Sequence, residues 1–277
     1  MKNKIVPILA FAVVVLAALS AFLYWRYVKP AIGISQTGPG QICSIATTTQ
    51  ADGARMSIVS VSQSDGFYNI QAEYPQFDGA DPAFNQKIAS LVNGEIDDFK
   101  KEAKDNFDAR NATIPAGEAV LQKPEQPFDF IATWTPAQFN SRYLSFMIDV
   151  YYFSGGAHGA DQISAFNYDL ANKKEITIGD FLGSADGLDK LAKMAKDQVT
   201  SQLQSNGSQM EDFLAQMIQD GTKPVLENYR NFTFGYGKLT VYFEQYQAAP
   251  GSAGTITAVF YKNDLKQNGV ASSYIDQ

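Results

Sequence analysis

The chain has 277 residues, 45% hydrophobic and 13% aromatic, with 22 Lys plus Arg against 29 Asp plus Glu and a net charge of −7. This is a globular composition able to bury a core, and it excludes disordered, collagen-like and coiled-coil classes. One Cys excludes a disulfide framework or thiolate cluster and one His excludes a multi-histidine zinc site, while the acidic balance opposes nucleic acid, whose affinity comes mainly from Lys and Arg displacing counterions. The expectation is no metal, no cofactor and no nucleic-acid partner.

Residues 1–29 read as an N-terminal membrane anchor. Ile5 to Trp25 is an unbroken run of 21 uncharged residues, and at about 1.5 Å per residue it reaches about 30 Å, the thickness of a bilayer's hydrocarbon core. Lys2 and Lys4 precede it, Arg26 and Lys29 follow, and Tyr24, Trp25 and Tyr27 stand where an interfacial aromatic belt would be. The rival reading is a cleavable secretory signal with Ala18 and Ser20 at the cleavage site, although the apolar run continues through Phe22 to Trp25, longer than such signals usually have. Either reading places the C-terminal domain outside the cytoplasm; the anchor makes it a single-pass protein of the cytoplasmic membrane. Setting aside Lys2, Lys4, Arg26 and Lys29 leaves 18 basic residues against 29 acidic ones, so the exported part carries −11. Residues 30–55, rich in Gly, Ser, Thr and Gln, read as a flexible tether in which Cys43 is an incidental thiol, with an intermolecular disulfide the minority case.

Order is expected from Met56. Ser57 to Ser62 and Phe67 to Tyr74 favour strands around a turn at Ser64-Asp65-Gly66. Asp81-Pro82 then opens a helix marked by Phe84, Ile88, Leu91, Val92, Ile96, Phe99 and Ala103 through about Phe107, with Gly94 as its weak point. Strands follow at Phe128 to Trp134, Arg142 to Phe153 and Gln162 to Leu170, the second carrying Tyr143, Phe146, Ile148, Val150 and Tyr152. Helical faces recur at Leu188 to Leu203 and Phe213 to Ile218, with a helical turn from Pro224 to Tyr229. Strands return at Phe232 to Phe234, Leu239 to Tyr246 and Thr255 to Tyr261. Strand pairs with helices inserted as blocks predict an α+β fold, antiparallel sheets with packed helices in two contiguous portions, 56–160 and 161–277.

One ordered set of segments carries a family resemblance. It comprises Tyr68 to Phe77, Tyr151 to Gly159 with its Gly-Gly-Ala-His-Gly run, Phe166 to Leu170, Ile176 to Leu182, Leu239 to Tyr246, and Ala248 to Gly254. The set resembles the exported region shared by the lysozyme-sensing anti-sigma factor RsiV and the front part of membrane-anchored peptidoglycan polysaccharide deacetylases, over roughly Met56 to Leu265. The resemblance implies an extracellular α+β recognition module, which in the sensor binds c-type lysozyme and in the deacetylases accompanies a separate catalytic domain. With four residues ahead of the apolar run, no cytoplasmic segment able to hold a sigma factor is expected, and no deacetylase domain is expected after residue 277.

The candidate ligand-binding residues are Gly155, Gly156, His158 and Gly159 in one loop and Pro250, Gly251, Ala253 and Gly254 in a second. Glycines admit backbone conformations closed to other residues and let a ligand approach closely, but a Gly-rich turn ending a strand is as readily a bulge or tight connection, with the imidazole bonded to a nearby carbonyl. No catalytic residue is expected. Ser154 lacks the strand-to-helix elbow of a Gly-x-Ser-x-Gly nucleophile, Glu95, Asp97 and Asp98 read as a solvated helix face, and Asp180 reads as a helix N-cap. Seven aromatics between Tyr229 and Tyr246 suit either a core or a sugar-stacking surface. The reading is a non-enzymatic, membrane-anchored recognition module of the cell envelope that binds a c-type lysozyme or peptidoglycan. The alternatives are a cell-wall hydrolase or deacetylase using carboxylates, and a scaffold docking another membrane protein.

Overall fold

Alternating apolar residues and turn signals between Cys43 and Glu175 build one seven-stranded sheet whose spatial order is its chain order. Its strands are β1 (Cys43–Ala51), β2 (Ala54–Ser64), β3 (Tyr68–Phe77), β4 (Phe128–Phe139), β5 (Tyr143–Phe153), β6 (Ala160–Asp169) and β7 (Lys174–Glu175). The computed structural model describes residues 43–51, 54–156, 158–184, 186–204 and 211–275. The expected anchor, 1–29, and the first part of the tether lie outside them. Among the described residues no helix is long and apolar enough to cross a membrane.

Helix α1 (Pro82–Ala112) starts where its sequence provides both cap and stiff first turn: the Asp81 carboxylate accepts from the Ala83 amide at 2.8 Å and Pro82 needs no donor partner. Phe84, Ile88, Val92, Ile96, Phe99, Ala103 and Phe107 recur on one face and bury against Ile70, Ala72, Phe130, Phe146, Ile148, Val150 and Phe166 of the sheet. Gly94 has nothing within 4 Å of where a Cβ would sit, so packing does not require it there.

The second layer is a three-stranded antiparallel sheet, β8 (Phe232–Gly235), β9 (Lys238–Phe243) and β10 (Ile256–Tyr261), ordered β10-β9-β8. Around it stand α2 (Ile178–Leu182), α3 (Gly187–Leu203), α4 (Asp212–Gly221), a 3-10 turn (Leu226–Tyr229) and α5 (Lys262–Gln267). They share a core of Phe181, Leu191, Val199, Tyr229, Phe234, Val241 and Phe243. The two layers meet through a buried polar seam. The Ser145 hydroxyl donates to Asn167 Oδ1 at 2.6 Å and accepts the Phe234 amide at 2.9 Å, and Asn167 Nδ2 donates to the Phe232 carbonyl at 2.7 Å.

Four sequence expectations change. The sheet is mixed: β3 and β4 pair in parallel, because α1 carries the chain back before β4 begins. The tether is shorter than 30–55, since Cys43 to Ala51 is strand β1, paired residue by residue with β2. A boundary at 160/161 falls inside a hairpin, since β6 pairs with β5 from Tyr152↔Ala160 onward and belongs to the same sheet. Asp180 is not the N-cap but the fourth member of a capping box. Thr177 caps α2, accepting the Asp180 amide at 3.1 Å, while the Asp180 carboxylate accepts the Thr177 amide at 3.0 Å.

That box predicts an acid-sensitive element. The Lys174 ammonium at 2.6 Å, with the Thr177 hydroxyl and amide, pulls the Asp180 carboxyl down to about 2. A carboxyl depressed in the folded state contributes stability that is fully present above its ordinary value of 3.8 and is lost as pH falls through about 2. Asp180→Asn is therefore expected to cost about 1–2 kcal/mol at pH 7 and almost nothing near pH 2, read by urea unfolding at both pH values. An equal cost at both would place the contribution in packing instead.

Candidate functional site

The first glycine loop is the β5–β6 connection. Its entry is tied to α1: the buried Ser154 hydroxyl donates to Glu102 Oε1 at 2.6 Å, and Asn106 Nδ2 donates to the Ser154 carbonyl at 3.1 Å. Gly155 takes φ +98°, and a Cβ there would lie 2.7 Å from the Phe128 ring. At Gly159 a Cβ would lie 2.4 Å from the Tyr151 ring, so the ring rests directly on the Gly159 backbone. Tyr151 is nevertheless 38% exposed. His158 is exposed, and its Nδ1 sits 2.8 Å from the Gly159 carbonyl oxygen. That is a local contact; among the described residues it forms no pair with Ser154. Gly156 is exposed on the same turn.

The second loop joins β9 to β10 and repeats the device. Tyr246 is held at φ +68°, an uncommon conformation for a bulky residue, and is 59% exposed. A Cβ on Gly251 would lie 2.2 Å from the Tyr246 ring. Gln245 Nε2 donates to the Gly251 carbonyl at 2.8 Å, and the Ala253 amide donates to the Pro250 carbonyl at 2.9 Å, closing a short 3-10 turn that ends at Gly254, φ +66°. Ala253 is exposed. Each loop thus presents a tyrosine ring whose position is fixed by a glycine backbone beneath it. Each is anchored to its own sheet, and among the described residues no hydrogen bond joins the two.

Sequence reasoning passed over the sheet face beside the first loop. Strand pairing sets Tyr151 opposite Ile131 on β4 and Asp161 on β6, and sets Asp149 opposite Thr133 and Ile163. These residues point away from α1, on the parity opposite to Ile148 and Val150. Burial, reinforced by the Asp161 charge, pushes the Asp149 carboxyl above the usual carboxylate range. The available signal was an acid at an outward position of the strongest strand. On the α1 side, Asp97 and Asp98 are solvated as expected, but Glu95 is half-buried against the Gln162 amide, and burial raises its carboxyl as well. Of the aromatic stretch, Tyr229, Phe232, Phe234 and Phe243 are core, whereas Tyr236 and Tyr246 are exposed. An open cleft of about 400 Å3 lies along α2, lined by Asp180, Leu182, Ser184, Lys266 and Ser272, and includes no residue of either glycine loop. Among the described residues no group of three His, Cys, Asp or Glu is placed to hold a metal.

Two family models match this chain in tandem. Residues 61–161 match the family described as deacetylase PdaC, and residues 180–261 match DUF3298, a family of unknown function. The first match contains β3 to β5 and the whole of the first glycine loop; the second contains the loop from Pro250 to Gly254. The chain is also similar to the peptidoglycan-N-acetylmuramic acid deacetylase PdaC of Bacillus subtilis strain 168, with 24% identity over 230 residues. That alignment covers 83% of this chain and 44% of the relative, so the chain spans less than half the length of the curated protein it matches. Among solved structures, a DUF3298 family member from Bacteroides fragilis superposes with a TM-score of 0.49 at 15% identity, covering 84% of this chain and 94% of that one. One from Pseudomonas aeruginosa PAO1 gives 0.47 at 15% identity, covering 86% and 97%. The part of the sequence resemblance that these matches carry is the deacetylase-associated region.

Proposed function

We propose that this chain is a cell-envelope recognition module that binds peptidoglycan through its two glycine loops, held at the cytoplasmic membrane by the uncharged run from Ile5 to Trp25. The observation that carries the reading is the tyrosine-on-glycine platform, built twice. An exposed ring whose backbone support is already ordered loses little conformational freedom on binding, and its negative face suits the C–H face of a sugar. The name of the Bacillus relative, a peptidoglycan deacetylase, supports the same ligand.

The test is calorimetric titration of the full-length chain with purified muropeptides. His158→Ala and Ala253→Arg alter exposed side chains and are expected to weaken binding by about 5-fold or more, equivalent to about 1 kcal/mol, while shifting Tm by no more than about 2 °C. Parallel losses of binding and stability would return both loops to a purely architectural role. The same titration with a c-type lysozyme tests the protein partner implied by the sequence resemblance, for which the −11 charge beyond the anchor favours encounter. Specific recognition is expected to persist at moderate salt with one-to-one stoichiometry, whereas a screened charge attraction vanishes.

A second reading has one observation in its favour. Asp149, pushed toward its protonated form beside another carboxylate, is the arrangement that lets one site supply both acid and base. It makes the chain a carboxylate hydrolase or deacetylase, and it requires muropeptide turnover by the full-length chain that Asp149→Asn abolishes.

A further inference from the structure

The face of the seven-stranded sheet turned away from α1 is covered by β8 at the end holding Ser145 and Asn167. Toward the first glycine loop it opens. One cross-strand row there is Gln71, Ile131, Tyr151 and Asp161, and the next is Thr133, Asp149 and Ile163. Ile131 is 42% exposed and Tyr151 38%, but Ile163 is 6% exposed, so Asp149 stands where the covered part of the face meets the open part. Directly opposed residues on neighbouring strands lie about 5 Å apart between Cβ atoms and diagonal ones about 7–8 Å, which puts Asp149, Tyr151 and Asp161 within reach of one small ligand.

The charge around the open end of this face is one-sided, with Lys174 of β7 standing at the far end opposite Asp169. Among the described residues of β2 to β6, the one basic side chain is Arg55, at the start of β2, where it pairs with Asp78 at 3.7 Å. Among the described residues the Asp149 carboxylate makes no hydrogen bond there; what acts on it is burial and the charge of Asp161. Two acids close together without a counter-charge are a standing electrostatic cost, relieved by a cation placed between them. Beside them Tyr151 offers a ring held against the Gly159 backbone. A ligand with a saturated ring and an attached ammonium satisfies both features, whereas an N-acetyl amide, being neutral, satisfies one.

We propose that this open sheet face binds glycan carrying free amino groups, with Tyr151 beneath a sugar ring and Asp149 and Asp161 on the ammonium. The proposal rests on the peptidoglycan reading and narrows it to de-N-acetylated sugar units. The carboxylates of peptide stems and lactyl groups are repelled from such a face, so contact is through the amino-sugar backbone.

The experiment titrates the full-length chain with a glucosamine tetramer, an N-acetylglucosamine tetramer of the same length, tetralysine and mixed muropeptides. The expected result is at least 10-fold tighter binding of the glucosamine tetramer than of the acetylated one. Asp149→Asn or Asp161→Asn should erase that preference without lowering Tm, because each removes a repulsive charge. Tyr151→Ala should weaken both sugars together. Equal binding of the two tetramers overturns the amino-group inference and leaves the peptidoglycan reading standing, as does binding of muropeptides alone. Tetralysine binding as tightly and with the same aspartate dependence overturns the sugar assignment in favour of a cationic protein. No binding of any sugar probe overturns both.

Discussion

Phe146→Ala is expected to lower the unfolding free energy by about 3–5 kcal/mol. Phe146 is 0% exposed at the centre of the inner sheet face. It stacks on Phe166 with ring centroids 5.2 Å apart at 11°, and touches Phe77 at 5.3 Å and Phe139 at 6.2 Å. Those partners belong to β3, β4 and β6, so the cavity left by the ring opens to three strands whose backbones are fixed by pairing and cannot close on it. The loss combines transfer of the ring to water with the unfilled cavity, and both terms are large where relaxation is blocked. Guanidinium unfolding of the full-length chain should show a lower midpoint with an unchanged slope. A loss below about 1 kcal/mol would mean that α1 moves in to fill the space, and that the sheet–helix core is far softer than its packing indicates.

Asn167→Leu is expected to cost about 2–5 kcal/mol for a different reason. Leucine keeps the branched skeleton of asparagine, with bulkier methyl ends, but has no polar atoms. It strands the Phe232 carbonyl and the Ser145 hydroxyl proton at a seam where Ser145 is 0% and Asn167 5% exposed. Each buried orphan costs about 1–3 kcal/mol. Because the seam couples β8 to β5 and β6, amide exchange at Phe234 should accelerate in this variant more than exchange at Ile148 inside the first core. The double variant with Ser145→Ala should cost less than the sum of the two singles, since the second change removes a group the first left unpaired. Strict additivity would show that the three hydrogen bonds are independent and that the seam is not a network.

The sequence alone determined what depends on local pattern and composition. The 3.6-residue recurrence from Phe84 to Phe107 and the Asp81-Pro82 start were sufficient for α1. Two-residue alternation from Phe146 to Tyr152 was sufficient for β5, and the turn at Asp65-Gly66 for the β2–β3 hairpin. The glycine loops were visible because glycine is the one residue whose absence of a side chain is itself a signal. What they are for was not visible: Gly159 and Gly251 carry Tyr151 and Tyr246, partners set by folding rather than by a recognisable spacing. Strand β1 was missed because Cys43 to Ala51 is small and polar, and its pairing with β2 is a backbone interaction that leaves little mark in side chains. The parallel pairing of β3 with β4 depended on where a 31-residue helix delivers the chain. Only the tertiary structure could place Asp149 beside Asp161 on one open face, because proximity across strands is fixed by register, a property of the folded sheet that no single stretch of sequence contains.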